Sequence, residues 1–124
     1  MARKRSVPDR SGLSIRVDLS SGLRIGPGKI ALLEAIAETG SISGAGRVLG
    51  MSYKRAWDLV EELNRGCEQP VVTASPGGRD GGGANLTATG DTLVRLYHEI
   101  AQASAQAARN QVRALARMAA SDGA

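Results

Sequence analysis

The side chains able to do chemistry are concentrated in one short stretch, Gly50-Met51-Ser52-Tyr53-Lys54-Arg55-Ala56-Trp57-Asp58. Ser52 and Tyr53 carry hydroxyls that can donate to phosphate oxygens. Lys54 can reach a guanine edge or a phosphate, as can Arg55 from the margin of the same face. Asp58 can accept from a cytosine amino group, or it can orient Lys54 or Arg55. Trp57 has two readings: it closes the base of the core, or it stacks on the sugar edge of DNA. A second basic feature is Arg79, set among Gly77, Gly78, Gly81, Gly82 and Gly83 and beside Asp80. Arg79 either supplies charge to a loop that follows a groove or is a solvated residue on a surface loop. A third is the terminal Arg3, Lys4 and Arg5, which either add phosphate contacts or only solubilise the chain.

These residues need elements to position them. Residues 1–12 are polar, with Pro8 and Gly12, and read as a flexible basic arm. Leu13, Ile15, Val17 and Leu19 alternate with polar residues, the period of a half-buried strand. Ser21-Gly22 turns the chain into Leu23-Arg24-Ile25. A helix is expected from Pro27 to Glu38, with Ile30, Leu32, Leu33, Ile36 and Ala37 on its apolar face. Ser41 caps a short second helix that turns Ala45, Val48 and Leu49 inward. Ser52 caps a third helix reaching Asn64, with Ala56, Leu59, Val60 and Leu63 as its core stripe. That stripe leaves Ser52, Tyr53, Lys54, Trp57 and Asp58 facing out. Gly46 lets the second and third helices approach, and Gly50 permits the turn between them. This is helix-turn-helix spacing.

Val71 to Ala74 and Ala84 to Thr87 then form a hairpin around the glycine-rich tip. The order strand, three helices, strand, wing, strand is that of a winged helix-turn-helix: mainly α with a small β-wing. The expected organisation is a DNA-binding domain over 13–87, a long helix over 88–118 and a tail at 119–124. Thr87 caps that last helix, which at 1.5 Å per residue would run ~45 Å. Leu93, Leu96 and Ile100 form its stripe, extended by Leu115 and Met118. Beyond Ile100 alanine dominates, so the helix is either frayed or packed on a partner chain.

Composition limits the function. Residues 1–55 carry ten basic and four acidic side chains, whereas the remainder carries six and eight. The basic surplus therefore accompanies the helix-turn-helix. The single cysteine, Cys67, and single histidine, His98, exclude a disulfide framework and make a metal site within one chain improbable. His98 adjoins Glu99, but neighbours on a helix point apart, so His98 reads as a solvated side chain. The glycine run lacks the Lys-Ser/Thr of a Walker A loop. No catalytic residue, metal or cofactor is expected. No apolar run is long enough to span a membrane, no secretory signal opens the chain, and a cytoplasmic location is expected.

Taken with Gly40-Ser41-Ile42-Ser43 and with Gly77 through Gly90, the Ser52–Asp58 stretch closely resembles the N-terminal DNA-binding domain of the molybdate-responsive ModE regulators. That domain is in turn similar to the LysR-type winged helix-turn-helix. The resemblance covers roughly Leu13 to Ala107. It implies that Ser52, Tyr53 and Lys54 face operator DNA, that Gly77–Gly83 form the wing, and that Arg55 tunes sequence preference. It implies double-stranded DNA and a homodimer as partners, and regulation of molybdate transport or molybdoenzyme genes. Those regulators carry two further oxyanion-binding modules. Only about 17 residues follow Ala107 here, too few for one. A stand-alone regulator, a regulator signalled by a separate effector-sensing protein, and a fragment all fit. The alternative function is a winged helix devoted to protein contacts, which Asp58, Glu61 and Glu62 on the third helix would favour.

Overall fold

The computed structural model describes residues 12–75 and 83–120. The chain order is β1 (Val17–Asp18), β2 (Arg24–Ile25), α1 (Pro27–Thr39), α2 (Ile42–Leu49), α3 (Tyr53–Gly66), β3 (Val72–Ala74), β4 (Ala84–Leu86), α4 (Ala88–Ala107) and α5 (Arg109–Met118). Two antiparallel pairs result, β1 with β2 and β3 with β4. The fold is the expected mainly helical winged helix-turn-helix.

The core is aliphatic. Leu32, Leu33 and Ile36 of α1 are fully buried, and Val60 and Leu63 of α3 and Val71 before the wing close over them. α1 packs on α2, α4 and β4, so it is the central element. Pro27 at its first position needs no partner for an N–H, and Gly40 ends it in the left-handed region at φ 74°. The Gly40 carbonyl then accepts from the Ala84 N–H at 2.8 Å, tying the wing to the α1–α2 junction.

Several sequence expectations need correction. The period-two run from Leu13 pairs only at Val17–Asp18, and Leu13 and Leu19 are exposed. β2 is two residues long, so it offers a short edge and little to pair with. On α1, Ala35 is buried and Ala37 exposed; on α2, Val48 is half exposed. The last helix is two helices. α4 ends at Ala107, Ala108 breaks the helix at φ −98° and ψ 8°, and α5 begins at Arg109 with no glycine or proline to mark the break.

Candidate nucleic-acid interface

The turn between α2 and α3 is built from small residues. Gly50 sits at φ 69°, a conformation that side chains resist. A Cβ on Gly46 would lie 3.1 Å from the Met51 carbonyl oxygen and 3.6 Å from the Ala56 Cβ. The two helices thus cross at the expected point because neither side chain is larger. Ser41 and Ser52 cap their helices as expected: the Gly44 N–H donates to Ser41 Oγ at 2.8 Å, and the Arg55 N–H to Ser52 Oγ at 3.0 Å.

α3 buries Ala56, Leu59, Val60 and Leu63 and leaves Ser52, Tyr53, Lys54, Arg55, Trp57 and Asp58 exposed. Trp57 is 36% exposed and is not among the residues of the core cluster. With Tyr53, Lys54, Asp58 and Glu61 it lines a shallow depression on the outer face of α3. Lys54 Nζ donates to Asp58 Oδ2 at 2.9 Å. Of the two roles open to Asp58, the free protein therefore uses the one that orients Lys54. The pair is well exposed, so it is weak and easily exchanged for a phosphate or base partner.

Arg55 leaves that face by one flank. It lines a separate cleft with Arg16, Arg24, Lys29 and Glu62. The Lys29 ammonium donates to the Arg24 carbonyl at 2.7 Å and also to Glu62 Oε2. That second bond holds the Glu62 carboxyl below its usual range. Glu62 is accordingly engaged toward α1 and does not confront the outer face of α3.

The wing is held by a residue near the C-terminal end of α3. Asn64 Oδ1 accepts from the Val71 and Val72 N–H groups at 2.8 and 3.2 Å, and its amide donates to the Val72 carbonyl at 3.1 Å. An amide near a helix end, a few residues before a β-prone run, is the only signal that could have marked it. Ser75 donates to the Gly83 carbonyl at 2.7 Å, closing the hairpin. Arg79, Gly77, Gly78, Gly81 and Gly82 lie outside the described residues, as do Arg3, Lys4 and Arg5.

On α4, Leu96 and Ile100 are exposed and Leu93 is half-buried. They line an apolar groove of about 350 Å³ with residues of β1, β2 and the turn between them. Leu115 on α5 is also exposed, and α5 buries nothing. Tyr97 is buried, and its hydroxyl donates to the Ile15 carbonyl at 2.9 Å. His98 is not simply solvated. Its Nε2 lies 2.8 Å from Glu34 Oε2 on α1, while Glu99 pairs with Arg95. Cys67 is half-buried, and burial pushes its thiol pKa up.

Residues 28–91, half of the chain, match the family described as bacterial regulatory helix-turn-helix protein, lysR family. The chain belongs to this lysR-type helix-turn-helix family. The molybdenum-pterin-binding protein MopB of Rhodobacter capsulatus is 52% identical over 80 residues, which are 64% of this chain and 30% of that protein. The DNA-binding transcriptional dual regulator ModE of Escherichia coli K12 is 42% identical over 88 residues, 71% of this chain and 34% of that one. The chain thus spans about a third of the length of these relatives. The full-length LTTR LysG from Corynebacterium glutamicum superposes at a TM-score of 0.53 with 22% identity, covering 75% of this chain and 30% of that chain. That likeness concerns the fold alone. The family match begins at 28 and so leaves β1 and β2, with Arg16 and Arg24, before it. The family consists of regulators rather than enzymes, and no described helix is long and apolar enough to cross a membrane.

Proposed function

We propose that this chain is a sequence-specific DNA-binding domain of a transcriptional regulator, acting as a homodimer on genes of molybdate transport or molybdoenzymes. The observation that carries the reading is the outer face of α3. A helix that buries one stripe in the core leaves Ser52, Tyr53, Lys54, Trp57 and Asp58 together on its N-terminal half. That is the half a recognition helix inserts into the major groove. Tyr53 and Ser52 supply phosphate donors, Lys54 a base or phosphate contact, and Trp57 an apolar surface for a sugar or a thymine methyl. Arg79 adds charge from the wing sequence, and Arg3, Lys4 and Arg5 add it from the N-terminus. The molybdenum link rests on the names of the relatives, MopB and ModE. The dimer rests on the exposed Leu96, Ile100 and Leu115.

A second reading, a winged helix that binds protein, draws on the Lys54–Asp58 pair and Glu61, which lower the positive charge of the face. Selection of genomic fragments at about 150 mM salt, with and without molybdate, separates the two. The DNA reading expects an enriched palindrome, selective loss of it in Lys54→Ala, and affinity that falls steeply with salt. Absence of enrichment at any salt would transfer the search to protein partners.

A further inference from the structure

The cleft beside α3 shares only Arg55 with the charged residues of the recognition helix's exposed half, and its charge is unexplained by packing. It is lined by Arg16, Arg24, Lys29 and Arg55 against one carboxylate, Glu62, with a volume of about 390 Å³. Glu62 is already engaged by Lys29, whose side chain is only 13% exposed. Arg24 and Arg55 make no ion pair with any other described residue. Arg16 is held in place from two sides. Its guanidinium forms a forked pair with Asp18 at 2.8 and 3.1 Å, and its stem lies over Gly26, where a Cβ would come within 3.4 Å of Arg16 Cγ. Among the described residues, four cations thus share this concavity with two neighbouring carboxylates, Asp18 and Glu62, which also attract Arg24 and Arg55 without pairing with them.

Position gives the cleft its partner. Arg55 belongs both to the N-terminal half of α3 and to the cleft lining. A helix in a major groove about 12 Å wide has a phosphate wall along each flank. The flank of α3 that carries Arg55 and Glu62 is the one that opens on β1, β2 and the start of α1.

We propose that Arg16, Arg24 and Arg55 form a phosphate ledge that takes the sugar–phosphate backbone of the same duplex on this flank of α3, with Lys29 neutralising Glu62 so that the ledge stays cationic. The inference rests on the DNA-binding reading above. The ledge positions and strengthens binding but reads no base. Asp18 competes with the phosphate for Arg16, so in the free protein it acts as a stand-in anion.

Salt titrations of the full chain on its selected duplex test this. Arg16→Gln and Arg24→Gln are each expected to weaken binding equally on preferred and scrambled duplexes, and to lower the slope of log affinity on log salt by about 1. Asp18→Asn is expected to do the reverse, tightening binding several-fold with a steeper slope. Misfolding cannot produce that gain. An unchanged slope in the double arginine variant, or no gain in Asp18→Asn, overturns the ledge while wild-type binding and its loss in Lys54→Ala leave the recognition face standing. If wild type binds no duplex, the DNA reading itself fails and the ledge with it. Saturable binding of inorganic phosphate to the DNA-free chain, abolished in Arg24→Gln, would reassign the cleft to a free oxyanion and overturn the proposal.

Discussion

Ser52 serves two ends with one hydroxyl. Its oxygen accepts from the Arg55 N–H and so starts α3, while its hydrogen remains free to donate outward. Ser52→Ala should therefore cost about 1 kcal/mol of stability through the lost cap. It should also weaken DNA binding modestly and without change of sequence preference. Thermal melting and a fluorescence binding titration on the same sample check both. Ser52→Asp, which retains a capping oxygen but offers no donor, should restore the stability and not the phosphate contact. The exposed Trp57 illustrates why a residue's type alone did not place it. An indole is apolar enough for either side of a helix, and only the packing of the core stripe of α3 leaves it partly exposed.

At the scale of elements, the wing depends on Asn64 more than on its own ladder. β3 and β4 share three residue pairs, too few to be stable alone. Asn64 contributes three hydrogen bonds at the base of the hairpin, two of them from backbone N–H groups. Asn64→Ala leaves the N–H of the fully buried Val71 without its partner. We expect a loss of about 2 kcal/mol, with faster amide exchange across Val71, Val72 and Ala84 as the specific readout. The link between α1 and α3 through Lys29 and Glu62 should be sensitive to acid. Bonding to Lys29 depresses the Glu62 pKa in the folded state. Its stabilising contribution is complete above the unfolded value, about 4.3, and is lost as pH falls through the lower folded value. Glu62→Gln should flatten that limb of the pH–stability curve, as denaturant titrations between about pH 5 and 2 would show.

Across the whole molecule, the apolar surface is unevenly finished. The aliphatic core beneath α1 to α3 is buried, yet Leu96, Ile100, Leu115 and Met118 remain exposed along α4 and α5, and Leu96 and Ile100 line the apolar groove at β1 and β2. If a second copy covers this surface, Leu96→Glu with Ile100→Glu should convert a dimer into a monomer with α1 to α3 intact. Sedimentation measures the first and circular dichroism the second. Affinity for a palindrome should fall far more than affinity for a half-site, because only the dimer gains from joining two sites.

Much of this protein is legible along the chain. The Ser41 and Ser52 caps, the left-handed Gly40 and Gly50, the small Gly46 and Ala56, and the core stripe of α3 are all set by neighbours a few residues away. Their physics is local: hydrogen bonds of a cap, the freedom of a glycine, the 3.6-residue repeat. For the same reason the exposed set from Ser52 to Asp58 followed from the stripe. What tertiary structure decided depends on residues far apart in sequence. Asn64 acquired a role only when the hairpin folded back onto it, and His98 met Glu34 only when α4 crossed α1. Val48 and Leu13 had the period of buried positions but stand about half exposed. The cleft of Arg16, Arg24, Lys29 and Arg55 joins β1, β2, α1 and α3, and no spacing rule reaches across four elements. Local pattern specifies which face of an element is apolar. The charges that come to share a cleft are set by how those faces are packed.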